Sequence, residues 1–411
     1  MNSTPWLDLD PALPQRDLLL DETLMTEYFS RLVAGNGDFA IEDCERLRTK
    51  YRVGTSLRVL YNLRGSGRSY RIAARAFPRT RRVAKQFESR GELNAPELNT
   101  TFWIFPHDRK LKNLAVLANI PDELRDIEGR RWTRSRIVAH APEKSVTAQC
   151  LDDDEQLIAY AKVYAGDEGR QIFETHTRVA EALQAKTQIP RAIAYFEQHH
   201  LLLLEPVAGV SLAAVPSAQR EHAFFQLGKA LKRFHEIDLT TSTPSSSRLT
   251  PEALTRGCAT ISAARPDVAG VVQRLTAKLI AQYKPGETVL LHGDVHPKNI
   301  LLNDENIVLL DLDQAATGIA AADLGSVIAG LYSDACTGSR TWRDAGVLSH
   351  ALLSGYDASP HSHALRWHVA AALLQERALR SVTRIRTGSL QKVPEILQTA
   401  TAVLNGGLRE N

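Results

Sequence analysis

The most regular alternation of apolar and polar positions lies in the middle of the chain's C-terminal half. Three apolar runs there are separated by polar stretches: 289–291, 300–302 and 307–310. Short runs bounded by turn-forming residues are typical of β-strands, so the last two runs are predicted to form a hairpin. If Leu302 pairs with Ile307 in that hairpin, Asn299 lies nearly opposite the end of the last run, next to Asp311.

Two earlier stretches also have the pattern of paired strands. Each contains two β-rich runs divided by a turn signal: 51–63 with 69–77, and 136–151 with 157–165. Ser56 aligns with Ser145 at an offset of 89 residues, and Arg75 aligns with Lys162 at an offset of 87. Either the chain contains a duplicated hairpin pair, with Arg75 in the place of Lys162, or two β-rich sequences resemble one another by composition.

The remaining segments predict a poorly ordered arm and a series of helices. Residues 1–20 are expected to form the arm, and residues 102–124 read as a strand, a turn at 106–108 and a helix. Apolar residues at helical spacing predict further helices at 170–185, 220–238, 268–283, 340–356, 363–387 and 391–404. The chain is therefore expected to be rich in strands before residue 206 and mainly helical after it.

Composition places the chain among ordinary soluble proteins. Its 411 residues are 44% hydrophobic and 24% charged, with a formal net charge of +3, which is too small to indicate nucleic acid or membrane as a partner. The four cysteines are far apart and fit free thiols in a reducing compartment. Neither a secretion signal nor a membrane-spanning run is recognised, so we expect a cytoplasmic protein.

Three polar side chains around the predicted hairpin suggest phosphoryl transfer. The amide oxygen of Asn299 and the carboxylate of Asp311 would be close enough to share a hard divalent cation such as magnesium. Asp294, on the loop that leads to Asn299, would lie beside that cation without ligating it. Phosphoryl transfer uses this arrangement, in which one acid receives the acceptor's proton and the other two residues hold magnesium on the nucleotide phosphates.

The motifs HGDVHPKN at 292–299, LLDLDQA at 309–315 and ADLG at 322–325 resemble the catalytic core of the aminoglycoside phosphotransferase and choline kinase family. That family is the small-molecule branch of the protein-kinase-like fold. The resemblance implies ATP and Mg²⁺ as cofactors and a small-molecule hydroxyl group as acceptor. It also implies that Asp294 is the catalytic base and that Asn299 and Asp311 bind the metal.

The resemblance further implies a bilobal α+β fold, with a β-rich small lobe and a mainly helical large lobe. The small lobe would span 131–206 and the large lobe 207–411, after an N-terminal extension at 1–130 that contains the possible duplicate. The likeness extends over about 132–360 and is specific at 289–326.

Lys162 is the second anchor of this interpretation. It lies within an apolar strand, where an inward-facing charge needs a counter-ion or a ligand; an alternating strand that points Lys162 to water is the simpler alternative. By resemblance it contacts the α- and β-phosphates and pairs with a glutamate of the next helix. Glu174 is favoured as that partner and Glu181 is its competitor, about 10.5 Å further along the helix axis.

The other nucleotide contacts rest on position. The loop 141–146 contains no glycine, unlike the protein-kinase pattern, and Ser145 is its candidate phosphate contact through N–H and hydroxyl. Residues 200–212 resemble the hinge between lobes, where backbone groups of Glu205 and Val207 would hold adenine; an ordinary core strand would look the same.

Three further polar residues are assigned structural or alternative roles. Asp313 either contacts a second metal or hydrogen-bonds the loop. Asp323 is expected to be structural, as an N-terminal cap of the helix that begins near Leu324. His235, near the end of a predicted helix, is expected to be packed or capping rather than catalytic.

The acceptor is constrained only by charge. From residue 360 onward the chain has seven Lys and Arg against three Glu, which fits a neutral or anionic hydroxyl compound better than a polycationic aminoglycoside; a solvated helix face would give the same count. The alternative function is a nucleotide-binding regulator on a kinase-like scaffold. Phosphorylation of a protein is disfavoured because the expected APE-type segment is missing.

Overall fold

The structure is a computed structural model, and it describes residues 6–33, 41–81, 83, 91–183, 188–239, 249–304 and 306–406. The described residues form two compact units. The first contains those up to Gln171, together with Ile193–Pro206 and Thr383–Ile385. The second contains those of Ile172–Ala192, Val207–Val382 and Arg386–Asn411. Strands dominate the first unit and helices the second, as the sequence predicted.

The first unit begins with two helices and a five-stranded antiparallel sheet, here called the first sheet. The helices are Arg16–Leu20 and Glu22–Val33. The strands, in chain order, are Asp43–Arg52, Ser56–Gly65, Arg68–Ala76, Glu92–Ala95 and Thr100–Ile104. Across the sheet they lie in the order first, second, third, fifth, fourth.

A second five-stranded sheet follows and has the same strand order. Its strands, in chain order, are Arg134–Ala141, Ser145–Leu151, Leu157–Tyr164, Ala192–Phe196 and Leu201–Leu204. The helix Glu168–Ala182 lies in sequence between the third and fourth of these strands. From Ile172 onward its residues belong to the second unit. A short ribbon of Asp126–Ile127 and Arg130–Arg131 lies between the two sheets in sequence.

The strand registers of the two sheets correspond around the end of the third strand. In the first sheet Arg58 pairs with Arg75, which pairs in turn with Thr101. In the second sheet Lys162 pairs with Thr147 on one side and with Leu202 on the other. Arg75 therefore occupies the place of Lys162 in a duplicated sheet, and the duplication extends from the predicted hairpin to all five strands.

The connections between strands correspond as well. Asn99 and His200 both precede the fifth strand with left-handed φ values of 45° and 46°. The carbonyl of each accepts an N–H from the end of the third strand, at 3.0 Å from Phe77 and 2.9 Å from Tyr164. Composition alone does not account for these shared backbone positions, which therefore favour the duplication.

An aspartate ahead of each sheet binds the first hairpin turn of that sheet. Asp10 Oδ2 accepts the N–H of Gly54 at 2.8 Å, and Asp108 Oδ2 accepts the N–H of Glu143 at 3.0 Å. Gly54 and Glu143 occupy equivalent turn positions, with φ of 68° and 63°. Each aspartate also accepts, through Oδ1, the backbone N–H groups two and three residues later.

One face of each sheet is filled by residues that precede it. The ring of Phe29, on the helix Glu22–Val33, lies 5.2 Å from that of Phe102 in the first sheet. Apolar residues between 111 and 132, including the fully buried Trp132, pack on the face of the second sheet that contains Ala161. Neighbouring residues of a strand alternate between the two faces of its sheet. Arg75 and Lys162 therefore each lie on the face of their own sheet that these preceding residues do not cover.

Two expectations about this region are wrong. The arm over residues 6–20 is packed rather than poorly ordered, because Leu13 and Leu19 are buried and the Asp10 carboxylate accepts the hydroxyl of Tyr51 at 2.6 Å. The predicted helix after residue 108 is two short 3-10 turns, Leu114–Leu117 and Asp122–Leu124. In both places contacts with the neighbouring sheet outweigh the weak local period.

The second unit is built mainly from helices around two small sheets. The helices are Ser217–His235, Pro251–Ala264, Ala269–Ala281, Ala321–Cys336, Trp342–Tyr356, His363–Ala372, the π-helical Leu373–Ala378, Leu379–Arg384, Thr387–Gln391 and Val393–Gly406. The small sheets are Val210–Ser211 with Ile300–Asn303 and Asn306–Leu309, and Val289–Leu291 with Ala316–Gly318. No helix in the described part of the chain is both long and apolar enough to cross a membrane.

Candidate active site

The predicted hairpin of the second unit is confirmed, with the predicted register. Leu302 pairs with Ile307, and the N–H of Leu310 donates to the carbonyl of Asn299 at 2.8 Å. The backbones of Asn299 and Asp311 are therefore neighbours at the open end of the hairpin. The spacing of these residues in the sequence was enough to predict this because a tight hairpin fixes its own register.

A glycine brings the loop of Asp294 against the turn that follows Asp311. Gly293 has a φ of 78°, and a β-carbon there would lie 2.0 Å from the carbonyl oxygen of Gln314. The strands that flank the two turns also pair, Leu291 with Ala316. The HGD motif thus needs glycine at its centre for two reasons, the left-handed backbone and the close approach.

Asn299 and Asp311 present suitable donor atoms for a hard cation. Asn299 Nδ2 donates to the carbonyl of Asp294 at 3.2 Å, so the amide oxygen is the donor atom that remains for a cation. Asp311 has a φ of 64°, a strained conformation for a residue with a β-carbon, of the kind that collects at functional sites. Two such ligands suit magnesium, which usually takes only one or two protein carboxylates alongside water and phosphates.

Within the described residues, no group of three or more His, Cys, Asp or Glu side chains is arranged to hold a metal. One amide and one carboxylate do not form a group of that kind, so its absence is compatible with a site at Asn299 and Asp311. The metal roles of both residues stay predictions.

Asp323 is buried and organises the HGD loop. Its carboxylate accepts the N–H groups of His292 and Gly293 at 2.8 and 3.0 Å, and His235 Nε2 donates to it at 3.1 Å. Burial alone would raise the pKa of Asp323, but the bond from His235 and the nearby charges outweigh it and lower the pKa. The expected structural role is correct, whereas the expected helix cap is wrong, since the helix begins at Ala321 and Asp323 bonds to the loop instead.

His235 is packed, as expected, and it extends this network. Its Nδ1 lies 2.9 Å from the hydroxyl of Tyr356, whose pKa burial raises to about 12. His292, which is fully buried, donates from Nε2 to the carbonyl of Leu310 at 2.9 Å and accepts the N–H of Asp294 at Nδ1. The N–H of Asp294 is thus bound by a buried side chain of its own loop.

The side chain of Asp294 lies between two basic groups of the second unit. Arg380 Nη2 lies 3.6 Å from Asp294 Oδ1, and His296 Nε2 lies 3.8 Å from Asp294 Oδ2. Burial lowers the pKa of His296; the charges of Arg377 and Arg380 act in the same direction, and Asp294 opposes them. Arg380 was missed as a site residue. Its only signal in the sequence was the general excess of basic residues after residue 360.

The predicted nucleotide residues of the first unit lie in and beside the second sheet. Lys162 is buried, with Nζ 5.5 Å from the centre of the Tyr164 ring. Ser145 is also buried and pairs with Tyr164 where the first hairpin of the sheet closes. Lys162 therefore lies on the strand next to the turn at 142–144, within the same sheet.

Glu174 and Glu181 both lie on the helix Glu168–Ala182 with exposed side chains. They fall in the second unit, whereas Lys162 belongs to the first, and the pairing of Lys162 with either glutamate stays a prediction. Glu205 belongs to the first unit and Val207 to the second, so the chain passes from one to the other at Pro206. Both are partly exposed in a segment without regular secondary structure.

One cluster beside Ser145 was missed entirely. Glu143, at the tip of the turn before Ser145, is surrounded by three arginines that come from outside the second sheet: Arg58, Arg75 and Arg109. Its side chain is 5% exposed. No signal in the sequence indicated this cluster, because the partners of Glu143 are 34 to 85 residues away in the chain.

Comparisons with known proteins agree with this architecture. Residues 165–358 match the model of the phosphotransferase enzyme family, and no curated protein matches the chain. Among solved structures, the chain is similar to a thermostable mutant of aminoglycoside phosphotransferase APH(4)-Ia in its apo form. That likeness has a TM-score of 0.51 and 14% identity, over 67% of this chain and 94% of the other.

Two further structures are similar at lower scores. A putative aminoglycoside phosphotransferase from Ralstonia eutropha is 12% identical, with a TM-score of 0.49, over 69% of this chain and 96% of that one. Macrolide 2'-phosphotransferase MphH from Brachybacterium faecium is 18% identical, with a TM-score of 0.44, over 72% and 99%. Residues 165–358 are thus similar to the phosphotransferase enzyme family, and the chain has the protein-kinase-like fold of the solved aminoglycoside phosphotransferase.

Proposed function

We propose that this protein is an ATP- and magnesium-dependent phosphotransferase that acts on a hydroxyl group of a small molecule. One observation carries the proposal. The loop of Asp294 and the open end of the hairpin, with Asn299 and Asp311, contact each other through the bond from Asn299 Nδ2 to the Asp294 carbonyl. An acid group beside two oxygen ligands is the set of groups that phosphoryl transfer requires.

In the proposed reaction the acceptor oxygen forms a bond to the γ-phosphorus as the bond to the β,γ-bridging oxygen breaks. ADP leaves with the electron pair of that bond, and the acceptor's proton passes to Asp294. Magnesium, held by Asn299 and Asp311, would neutralise charge on the phosphates. Lys162 and Ser145 would contact the phosphates, and backbone groups at Glu205 and Val207 would bind adenine. Positioning and charge neutralisation would supply most of the catalysis.

The test is the variant Asp294→Asn. It is expected to abolish ADP release while leaving ATP affinity within about twofold, since Asp294 acts on the acceptor rather than on the nucleotide. The matched control is Asp357→Asn, which removes an exposed carboxylate of the same unit, 85% accessible. Equal loss of turnover and of ATP binding in Asp294→Asn would contradict the role of Asp294.

The alternative, a nucleotide-binding regulator, makes the opposite prediction for the wild-type protein. It expects tight nucleotide binding with no ADP release against a panel of sugars, amino alcohols, nucleosides and antibiotics. Detection of turnover with any acceptor, lost in Asp294→Asn, would reject the regulator.

The surroundings of Asp294 favour a neutral or anionic acceptor. Arg380 and His296 flank its carboxylate, and a polycationic acceptor would be repelled by the Arg380 charge. The variant Arg380→Gln should therefore raise KM for an anionic acceptor more than for a neutral one. Equal effects on both would show that Arg380 has no part in acceptor selection.

A further inference from the structure

The turn beside the proposed phosphate contact contains an unusual residue. Glu143 has a φ of 63°, in the left-handed region that disfavours residues with a β-carbon. Its N–H donates to Asp108 Oδ2, and the next N–H, of Lys144, donates to the carbonyl of Ala141 at 2.9 Å. A strained residue at such a place persists only when its surroundings determine its conformation.

Three arginines supply those surroundings. Arg75 Nη1 donates to both carboxylate oxygens of Glu143, at 2.7 and 2.5 Å. Arg109 donates to the same two oxygens from Nε and Nη2, at 2.8 and 3.0 Å. Arg58 Nη1 donates to Glu143 Oε2 at 3.1 Å and to the Pro142 carbonyl at 3.3 Å. Bidentate, charge-assisted hydrogen bonds of this kind stabilise the contact and also impose a defined geometry on it.

The duplication shows where these arginines come from. Arg75 occupies the register position of Lys162, and Arg58 that of Thr147. In the first sheet the position equivalent to Lys162 is thus occupied by Arg75, which binds a carboxylate of the same chain, that of Glu143. The equivalent of Glu143 in the first sheet is Gly54, which has no side chain, so the arrangement is not reciprocal.

We propose that the first sheet, together with Arg109 from the segment that follows it, is a built-in anion receptor for Glu143, and that this contact holds the turn 142–144 in the conformation needed to bind nucleotide phosphate. The inference rests on the proposed function in taking that turn to cover the phosphates. Arg58, Arg75 and Arg109 are then positioning residues, which act on nucleotide affinity through Glu143. A turn that is already ordered loses little further conformational entropy when its ligand binds, so its affinity for the ligand is higher.

The first experiment compares Glu143→Gln with the wild-type protein by amide hydrogen exchange and by kinetics. Exchange in residues 141–147 should become faster by roughly tenfold or more. KM for ATP should rise by about tenfold with kcat nearly unchanged, because the chemical groups are intact. Glu45→Gln is the matched control, since Glu45 makes an exposed ion pair with Arg64 in the same unit. Unchanged exchange at 141–147 would overturn the proposal.

The second experiment removes the carboxylate of Glu143 from the three arginines and supplies a small carboxylate from solution in its place. Glu143→Gly keeps the backbone conformation favourable, as at Gly54, and leaves the arginines for an added carboxylate. Formate or acetate should restore slow exchange at 141–147 and lower the KM for ATP towards the wild-type value. The double variant Glu143→Gly with Arg75→Gln should lose this rescue; rescue that is absent from the single variant, or that persists without Arg75, would overturn the proposal.

The two proposals can fail separately. If the wild-type protein neither binds nor turns over ATP, the proposed function fails, while exchange and formate rescue still decide whether the first sheet holds the turn. If ATP is turned over but exchange at 141–147 is the same in Glu143→Gln, only the receptor role fails.

Discussion

The first and second sheets share a strand order and a register but use the same position differently. Arg75 and Lys162 sit at equivalent places on equivalent strands. Arg75 is bound to the carboxylate of Glu143, whereas Lys162 is proposed to bind nucleotide phosphates. The comparison teaches that a sheet supplies positions for side chains, and that the chemistry of each position depends on the groups that meet it.

The largest expected difference between the sheets is catalytic. Lys162→Ala should reduce kcat/KM for ATP by roughly 10²–10³-fold, the usual cost of losing one charge-stabilising contact. Arg75→Ala should act mainly on KM, by about tenfold, because it works through Glu143. Steady-state ADP release measures both. Similar losses of kcat in the two variants would contradict the assignment of a direct phosphate contact to Lys162 and of an indirect role to Arg75.

The next effect is on stability and concerns the first sheet. Glu143→Ala leaves three arginines without their shared counter-ion, and removing one partner of a buried ion pair costs about 3–5 kcal/mol. Partial exposure of Arg109, 35% accessible, should place the loss near the lower end. Calorimetric unfolding of the full chain tests this, with Glu45→Ala expected to have little effect because its pair is exposed.

A smaller effect of the same contact should appear as a pH dependence. Burial would raise the pKa of Glu143, but hydrogen bonds from Arg109 and Arg75 and the surrounding charges lower it from 4.5 to about 2. The stabilisation is therefore complete above the unfolded-state pKa near 4.5 and is lost as the pH falls towards 2.

The difference in melting temperature between the wild-type protein and Glu143→Gln should be constant above about pH 5 and should narrow as the pH falls to 3. A difference that stays constant down to pH 3 would show that ionisation of Glu143 contributes nothing to stability.

The smallest expected effect lies at Gly54, the counterpart of Glu143. A β-carbon would meet no atom within 4 Å there, so Gly54→Ala should cost only the left-handed backbone penalty of about 1–2 kcal/mol. Denaturant unfolding measures it. A larger loss would indicate that the first turn, like the second, is held by contacts beyond its bond to Asp10.

Prediction from sequence succeeded where contacts are local. The register of the hairpin at Ile300–Asn303 and Asn306–Leu309 follows from the lengths of two runs and one turn. The resemblance to kinases was carried by motifs within 292–325, where neighbouring residues in the chain are also neighbours in space. Periodicity located most helices for the same reason, within a few residues of their ends.

Prediction failed where the partner of a residue is distant. Nothing near Asp10 in the chain indicates that it binds Gly54, and nothing near Asp294 indicates Arg380. The duplication was seen only as an alternative, because the two copies share topology rather than residues. The arginines around Glu143 look like ordinary surface charges in sequence, and only a folded chain shows that they converge.

The sequence by itself determined the kinase-like class, the strand-rich and helical halves and the residues proposed for chemistry, because each depends on local spacing and side-chain type. The tertiary structure alone decided that the duplicate is a whole sheet and that its cation binds Glu143. It also decided that Asp323 holds the HGD loop instead of capping its helix. Long-range pairing depends on which surfaces are left to meet after the strands have formed, and no local pattern records that outcome.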